Sequence, residues 1–438
     1  MSERKGLSIE KFALQPIPQE KRQHWMSVTL IQAGFMISAT SLWTGSLMVA
    51  GMPLSQVVIA GCIGYAIVVA ICAMQGIMGS DLGVPSIVAA TSAFGDRGSQ
   101  FLISTVCCVC TVGWFAINAN ICGAAFSGLI ESSLGFNIPV PVSVIIWGVI
   151  MVLTAVVGFN GLKYINVIAV PAMIVVSIVG LYMVVSGDGM SIIKAYLPMG
   201  EPMSMLTGID MVIGGFIVGA VLSADYTRYQ RTRADVIKSS FLGIFPIGVV
   251  LLIIGAIFAI VAGTEDLTEI FIGLGIPVLG LLSLILSTWP ANAANAYSAG
   301  LDAMKVLNAK DSKRPIVTLI CGLVGTVIGS FEVIYYFEEF LIILCIIIAP
   351  FAGVMIADYW IVGKANPKNW APVKNINWAG MISLVLGVVV SFVFPWGLAG
   401  INGVVVSLLA YLVLYKVMPK PVKLALDKQA FKEEEGSL

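Results

Sequence analysis

The chain has 438 residues, of which 58% are hydrophobic and only 11% charged, and its mean hydropathy is +0.98. Lysine plus arginine and aspartate plus glutamate balance at 24 each. This composition excludes a soluble domain, and zero net charge gives no reason to expect nucleic acid as a partner.

Apolar stretches of about 20 residues recur, the length that crosses a bilayer as helix. Twelve are expected, at 27–52, 57–78, 101–129, 142–157, 165–185, 211–224, 241–261, 277–299, 315–331, 340–362, 378–394 and 400–415. The first 26 residues are polar and lack an apolar h-region, so no cleavable signal peptide is expected. Of the 24 basic residues, 23 fall in alternate connections. They include Arg4, Lys21 and Arg22; Arg97; Lys163; Arg228, Arg231, Arg233 and Lys238; Lys305 to Arg314; Lys364 to Lys374; and Lys416 to Lys432. Lys194 alone falls on the other side. Short basic loops stay cytoplasmic, so both termini are expected on the cytoplasmic side of the plasma membrane. Glu131, Asp188, Glu201, Glu265, Asp266, Glu269, Glu332, Glu338 and Glu339 mark outer connections. Ionisable groups in hydrocarbon are costly and mark charge pathways. A core read as uncharged implies a neutral cargo.

Span one carries Gly34, Ile37 and Ser38 among small residues at its middle, and span six carries Gly214-Gly215-Phe216-Ile217-Val218-Gly219. Glycine costs a helix roughly 1 kcal/mol relative to alanine. Small residues also permit close helix packing. Their matching positions, first in each of two five-span blocks, favour broken helices lining a midplane site. Five is odd, so the two blocks have opposite orientation. The expected domains are an N-terminal tail (1–26), a core of two repeats (27–186 and 208–362), two added helices (378–417) and a C-terminal tail (418–438).

Span three places Thr111, Trp114 and Asn118 on one helix face. An indole offers a stacking surface, and an amide offers both donor and acceptor. Phe216 is a second aromatic, inside the glycine run of span six. Span eight reads Trp289-Pro290-Ala291-Asn292-Ala293-Ala294-Asn295. Pro290 donates no N–H, so the carbonyl of Leu286 lacks its helical partner. Asn292 and Asn295 need partners in lipid, either other helices or a substrate edge. Asp225, Arg228 and Asp358 sit at cytoplasmic span ends and read as structural or gating ion pairs. Eight cysteines lie in apolar spans, and Cys107-Cys108-x-Cys110 matches no zinc spacing. His24 is the only histidine and is interfacial. No metal site or cofactor is expected. A membrane enzyme would need a nucleophile, base or metal cluster, and a channel would show filter loops or charged rings.

Together these stretches resemble the nucleobase–cation symporters of the cytosine/purine permease type, nearest the bacterial cytosine permeases. The resemblance spans nearly the whole chain. It rests on Ser41-Leu42-Trp43-Thr44-Gly45, Gly83-Val84-Pro85-Ser86, Ser92-Ala93-Phe94-Gly95, Val112-Gly113-Trp114-Phe115, Val167-Ile168-Ala169-Val170-Pro171, Ala224-Asp225-Tyr226-Thr227-Arg228-Tyr229, the run from Asn292 to Gly300, and Gly353-Val354-Met355-Ile356-Ala357-Asp358-Tyr359. It implies an all-α, LeuT-like five-plus-five inverted repeat of twelve transmembrane helices. It also implies a monomer in lipid that imports a neutral heterocycle. Trp114 would stack on the ring and Phe216 close its other face. Gly215 would lend backbone, while Asn118, Asn292, Asn295, Thr111 and Ser287 read the polar edge. Cytosine permeases tend to carry glutamine at the Thr111 position, which leaves room for another pyrimidine or purine. Hydroxymethylpyrimidine, hydantoin and allantoin are alternatives, as are amino acids. Sodium-coupled relatives use carbonyls corresponding to Gly34 and Ile37 with span-eight hydroxyls. The matching positions here are Pro290 and Ala291, so Ser287 and Thr288 are the hydroxyls left. Weak or absent sodium dependence is expected, with proton coupling or plain flux instead.

Overall fold

The computed structural model describes residues 16–157, 162–198, 200–309, 311–331, 333–394 and 396–424, with no side-chain detail for 157–169. Arg4, Lys5, Lys11, Lys310, Glu332, Lys428 and Lys432, and the side chains of Lys163 and Val167-Ile168-Ala169, lie outside the described residues.

The fold is nearly all helix. The first part holds α1 (Trp25–Met36), α2 (Ala39–Gly51), α3 (Leu54–Leu82), α4 (Ser86–Ala89), α5 (Thr91–Phe94), α6 (Asp96–Leu134), α7 (Val140–Val157), α8 (Leu162–Ser186) and α9 (Gly189–Ala195). Then follow α10 (Met205–Val221), α11 (Ala224–Thr227), α12 (Arg233–Ala262), α13 (Leu267–Gly273), α14 (Pro277–Val306), α15 (Arg314–Gly329), α16 (Phe337–Ile356), α17 (Trp378–Val393) and α18 (Ala399–Val417). Among the described residues, six helices are long and apolar enough to cross a membrane, or eight if each of two bent pairs counts as one span. The shorter apolar helices α7, α10, α15 and α17 account for the other stretches read from the sequence.

The break expected in span one is present. Ile37 and Ser38 leave helical geometry, and α1 and α2 meet at 51°. Ser38 caps α2 by accepting from Ser41 N–H, and Ser41 Oγ donates to Met36 O at 2.7 Å. Short hydroxyl side chains compete in this way with the helix ladder.

The break expected in span six is absent. The helix α10 runs unbroken through Gly214 to Gly219 and turns only at Leu222 and Ser223. The reason is packing: a Cβ on Gly214 would lie 1.9 Å from Leu341 O of α16. This glycine lets two backbones touch. The same device brings α2 onto α12, where Cβ atoms on Gly45 and Gly255 would meet Leu252 O and Leu42 O. The helix α14 likewise runs unbroken past Pro290.

The long α6 lies along α14, α10 packs on α3 and α16, and the α17–α18 pair leans on α16. Buried Arg22 donates to Ser80 O at 2.5 Å, Gln230 O at 3.2 Å and Ile17 O at 3.3 Å. Burial lowers the pKa of its guanidinium from the ordinary value, and the charge of Asp81 opposes that shift. Arg22 thereby ties the segment before α1 to the end of α3 and to the α11–α12 connection.

Candidate functional site

The helix α6 carries the stacking candidate. Trp114 is half-buried, and its ring meets Phe340 at 5.2 Å and Phe337 at 6.2 Å in edge-on geometry. Phe337 also meets Trp43 of α2 at 6.4 Å. Neither Phe337 nor Phe340 was anticipated. The available signal was Gly113 beside the tryptophan, whose Cβ would lie 2.7 Å from the Phe340 ring. Asn118 donates to Trp114 O at 2.9 Å, leaving its amide oxygen to accept. Thr111 is half-exposed and donates to Cys107 O at 2.7 Å.

Opposite α6 stands α10. Cys107 and Cys110 of α6, Val218 and Val221 of α10, and Ile348, Phe351 and Met355 of α16 line an apolar cavity of about 20 Å³, room for roughly one water. Trp114 lies one turn beyond Cys110, and Phe216 two residues before Val218. Two residues is about half a helical turn, so Phe216 lies on a different face of α10 from Val218 and turns toward α1. A heterocycle passes such a gap only if the helices part. Gly215, next to Phe216, and Gly34 of α1 both look onto open space, with no atom within 4 Å of an added Cβ. Phe216 rests its ring against Phe35 of α1 at 6.4 Å. Phe35 is a further aromatic that sequence reasoning passed over.

The amides of α14 divide. Asn292 is fully buried and donates to Phe115 O of α6 at 2.9 Å, fastening the two helices. Asn295 is half-buried and donates to Asn292 Oδ1 at 3.4 Å. Ser287 and Thr288 give their hydroxyl protons to Leu284 O, at 3.0 and 2.8 Å. Their oxygens can still accept. At the span-one break, Ser38 N–H turns to Met36 O and Ser41 N–H to Ser38 O. The carbonyls of Gly34 and Ile37 are thereby released from the usual i→i+4 pattern.

Two expectations about charge, an ion pair at Asp358 and an uncharged core, are corrected. Asp358 is held by hydroxyls rather than by an ion pair, accepting from Ser92 at 2.5 Å and Tyr411 at 2.7 Å. Asp225 accepts from Ser86 N–H at 2.8 Å. Arg228 lies over the Tyr229 ring, 5.0 Å from its centroid. The core is also not free of carboxylates. Asp210 of α10 is only 6% exposed. It accepts from Ala399 N–H at 2.9 Å and Gly400 N–H at 3.2 Å in the first turn of α18, and lies 3.5 Å from Cys345 Sγ. Sequence reading missed it because the apolar stretch was started one residue later, at Met211. Asp210→Ala strands two buried amides and is expected to cost about 1–3 kcal/mol. Thermal melting in detergent should show the loss, with Asp210→Asn less affected. Equal melting of the alanine variant and the parent would refute the role of this contact.

The family described as permease for cytosine/purines, uracil, thiamine and allantoin matches residues 16–417. The cytosine permease of Escherichia coli (strain K12) is 26% identical over 418 residues, which cover 95% of this chain and 96% of the relative. The hydantoin permease of Microbacterium maritypicum is 24% identical over 441 residues, covering 92% and 86%. Among solved structures, the inward-facing conformation of Mhp1 has a TM-score of 0.80 at 21% identity, covering 96% of each chain. Mhp1 in a closed conformation with bromovinylhydantoin bound, described as a nucleobase-cation-symport-1 family transporter, has a TM-score of 0.75 at 21% identity, covering 93% of this chain and 96% of that one. With the long apolar helices and the match over residues 16–417, the chain belongs to the cytosine/purine, uracil, thiamine and allantoin permease family and is a multi-pass membrane transporter, not an enzyme.

Proposed function

We propose that this transporter imports a neutral, flat heterocycle of nucleobase type across the plasma membrane by alternating access. The observation that carries the reading is the aromatic surround of open space: Phe216 beside Phe35, Trp114 against Phe337 and Phe340, and nothing within 4 Å of a Cβ at Gly215 or Gly34. Trp114 stacks on the ring and Phe216 covers its other face. Asn118 and Asn295 read the polar edge, and Gly215 lends backbone. Asn292 positions α6 from behind through Phe115 O. Twelve spans leave both termini in the cytoplasm. The first ten form a five-plus-five inverted repeat, and residues 378–417 are an addition to it. Thr111 has no side-chain amide to pair with a pyrimidine edge. This favours a cargo other than cytosine itself, such as another base or a hydantoin.

Coupling to sodium is weak or absent in this reading. A hard cation needs several oxygens. The carbonyls of Gly34 and Ile37 and the oxygens of Ser287 and Thr288 form a sparse set, because Pro290 and Ala291 add no hydroxyl. A proton gradient or the cargo gradient drives flux instead. Uptake of cytosine and of hydantoin into proteoliposomes, with sodium and proton gradients imposed separately, tests both halves. Strong stimulation by sodium would overturn the coupling assignment. Failure of every nucleobase tested and of hydantoin to be taken up would overturn the cargo class.

A further inference from the structure

We infer that Phe35 is a second stacking station for the cargo, met after Phe216 on the route toward the basic side of the protein. The inference rests on the proposed heterocycle cargo. Phe35 stands two residues before the break between α1 and α2, yet its side chain is 52% exposed. Leu30 and Ile31 of the same helix are exposed too. Phe35 differs from them in touching two aromatic rings, Phe216 at 6.4 Å and Tyr226 of α11 at 6.1 Å, both tilted. Phe216 is only 8% exposed, so of these two rings Phe35 carries the open face. Tyr226 donates its hydroxyl to Gly219 O at 2.6 Å, which holds its ring still as a backstop. The neighbouring Gly34 and Gly215 leave unfilled space on both helices. A planar ring released by Phe216 thus meets a second flat apolar face. Aromatic rings favour such contacts in offset or tilted geometry. Leaving the first site in two short steps lowers the barrier to release without tightening the first site.

The test uses the full chain in proteoliposomes, with cytosine and hydantoin as probes. Phe35→Leu keeps the apolar bulk and removes the flat face. Phe35→Trp enlarges that face. Phe35→Leu should bind the probe within about twofold of the parent yet exchange it about threefold to tenfold more slowly in counterflow. Phe35→Trp should restore the rate and add an emission component that saturating probe quenches. Parent-like exchange by Phe35→Leu, or a Phe35→Trp emission indifferent to the probe, would overturn the station while leaving the cargo reading intact. A Phe35→Leu variant that melts earlier and loses binding would assign Phe35 to packing and also overturn it. A parent that binds neither probe removes the cargo reading, and the station with it.

Discussion

Replacing Trp114 by alanine is expected to abolish uptake while leaving a folded transporter in the membrane. Stacking of a base on an aromatic side chain is worth about 1–3 kcal/mol by alanine substitution, or roughly 5- to 150-fold in affinity. The indole also meets Phe337 and Phe340 edge-on, so its removal leaves α16 less well seated. Trp114→Phe separates the two effects. It keeps a flat face and most of the packing, and should bind more weakly than the parent but better than the alanine variant. Equilibrium binding and melting in detergent, measured on all three proteins, decide the matter. Unchanged transport by Trp114→Ala would refute the site.

The adjacent glycines of α10 should respond in opposite ways to alanine. In Gly214→Ala the new methyl would fall 1.9 Å from Leu341 O, a backbone atom that no rotamer change can move. The helices α10 and α16 must then separate, and overpacking of this kind costs about 1–3 kcal/mol or more. Low yield and a depressed melting temperature are expected. In Gly215→Ala the methyl meets nothing within 4 Å, and alanine is about 1 kcal/mol better in a helix than glycine. That variant should be at least as stable as the parent, with transport reduced because the methyl narrows the cargo space. Matching stability losses in the two variants would contradict the placement of α10 against α16.

This pair also explains why one part of the fold was legible and another was not. Both spans one and six carry glycine and small residues. Span one breaks because Ser38 and Ser41 supply hydroxyls that capture backbone groups at the break. Span six has no such hydroxyl among Gly214 to Gly219, and its helix continues. Glycine permits a break, but a competing hydrogen bond makes one. The same limit applies to the amides of α14. Asn292 and Asn295 look alike in sequence, yet only Asn292 reaches the Phe115 carbonyl of α6.

By itself the sequence determined the class of the molecule, its long apolar helices and the motifs of its family. These follow from local properties. A helix satisfies its own backbone in lipid, so the length and apolarity of a segment suffice to identify it. The tertiary structure alone decided that Gly214 is a contact and Gly215 an opening. It also decided that Asp210 grips the start of α18, and that Phe35 and Phe216 lie together. Each of these depends on which residues a second helix presents, often more than a hundred positions away along the chain. Side chains of the same type are told apart only by what stands opposite them.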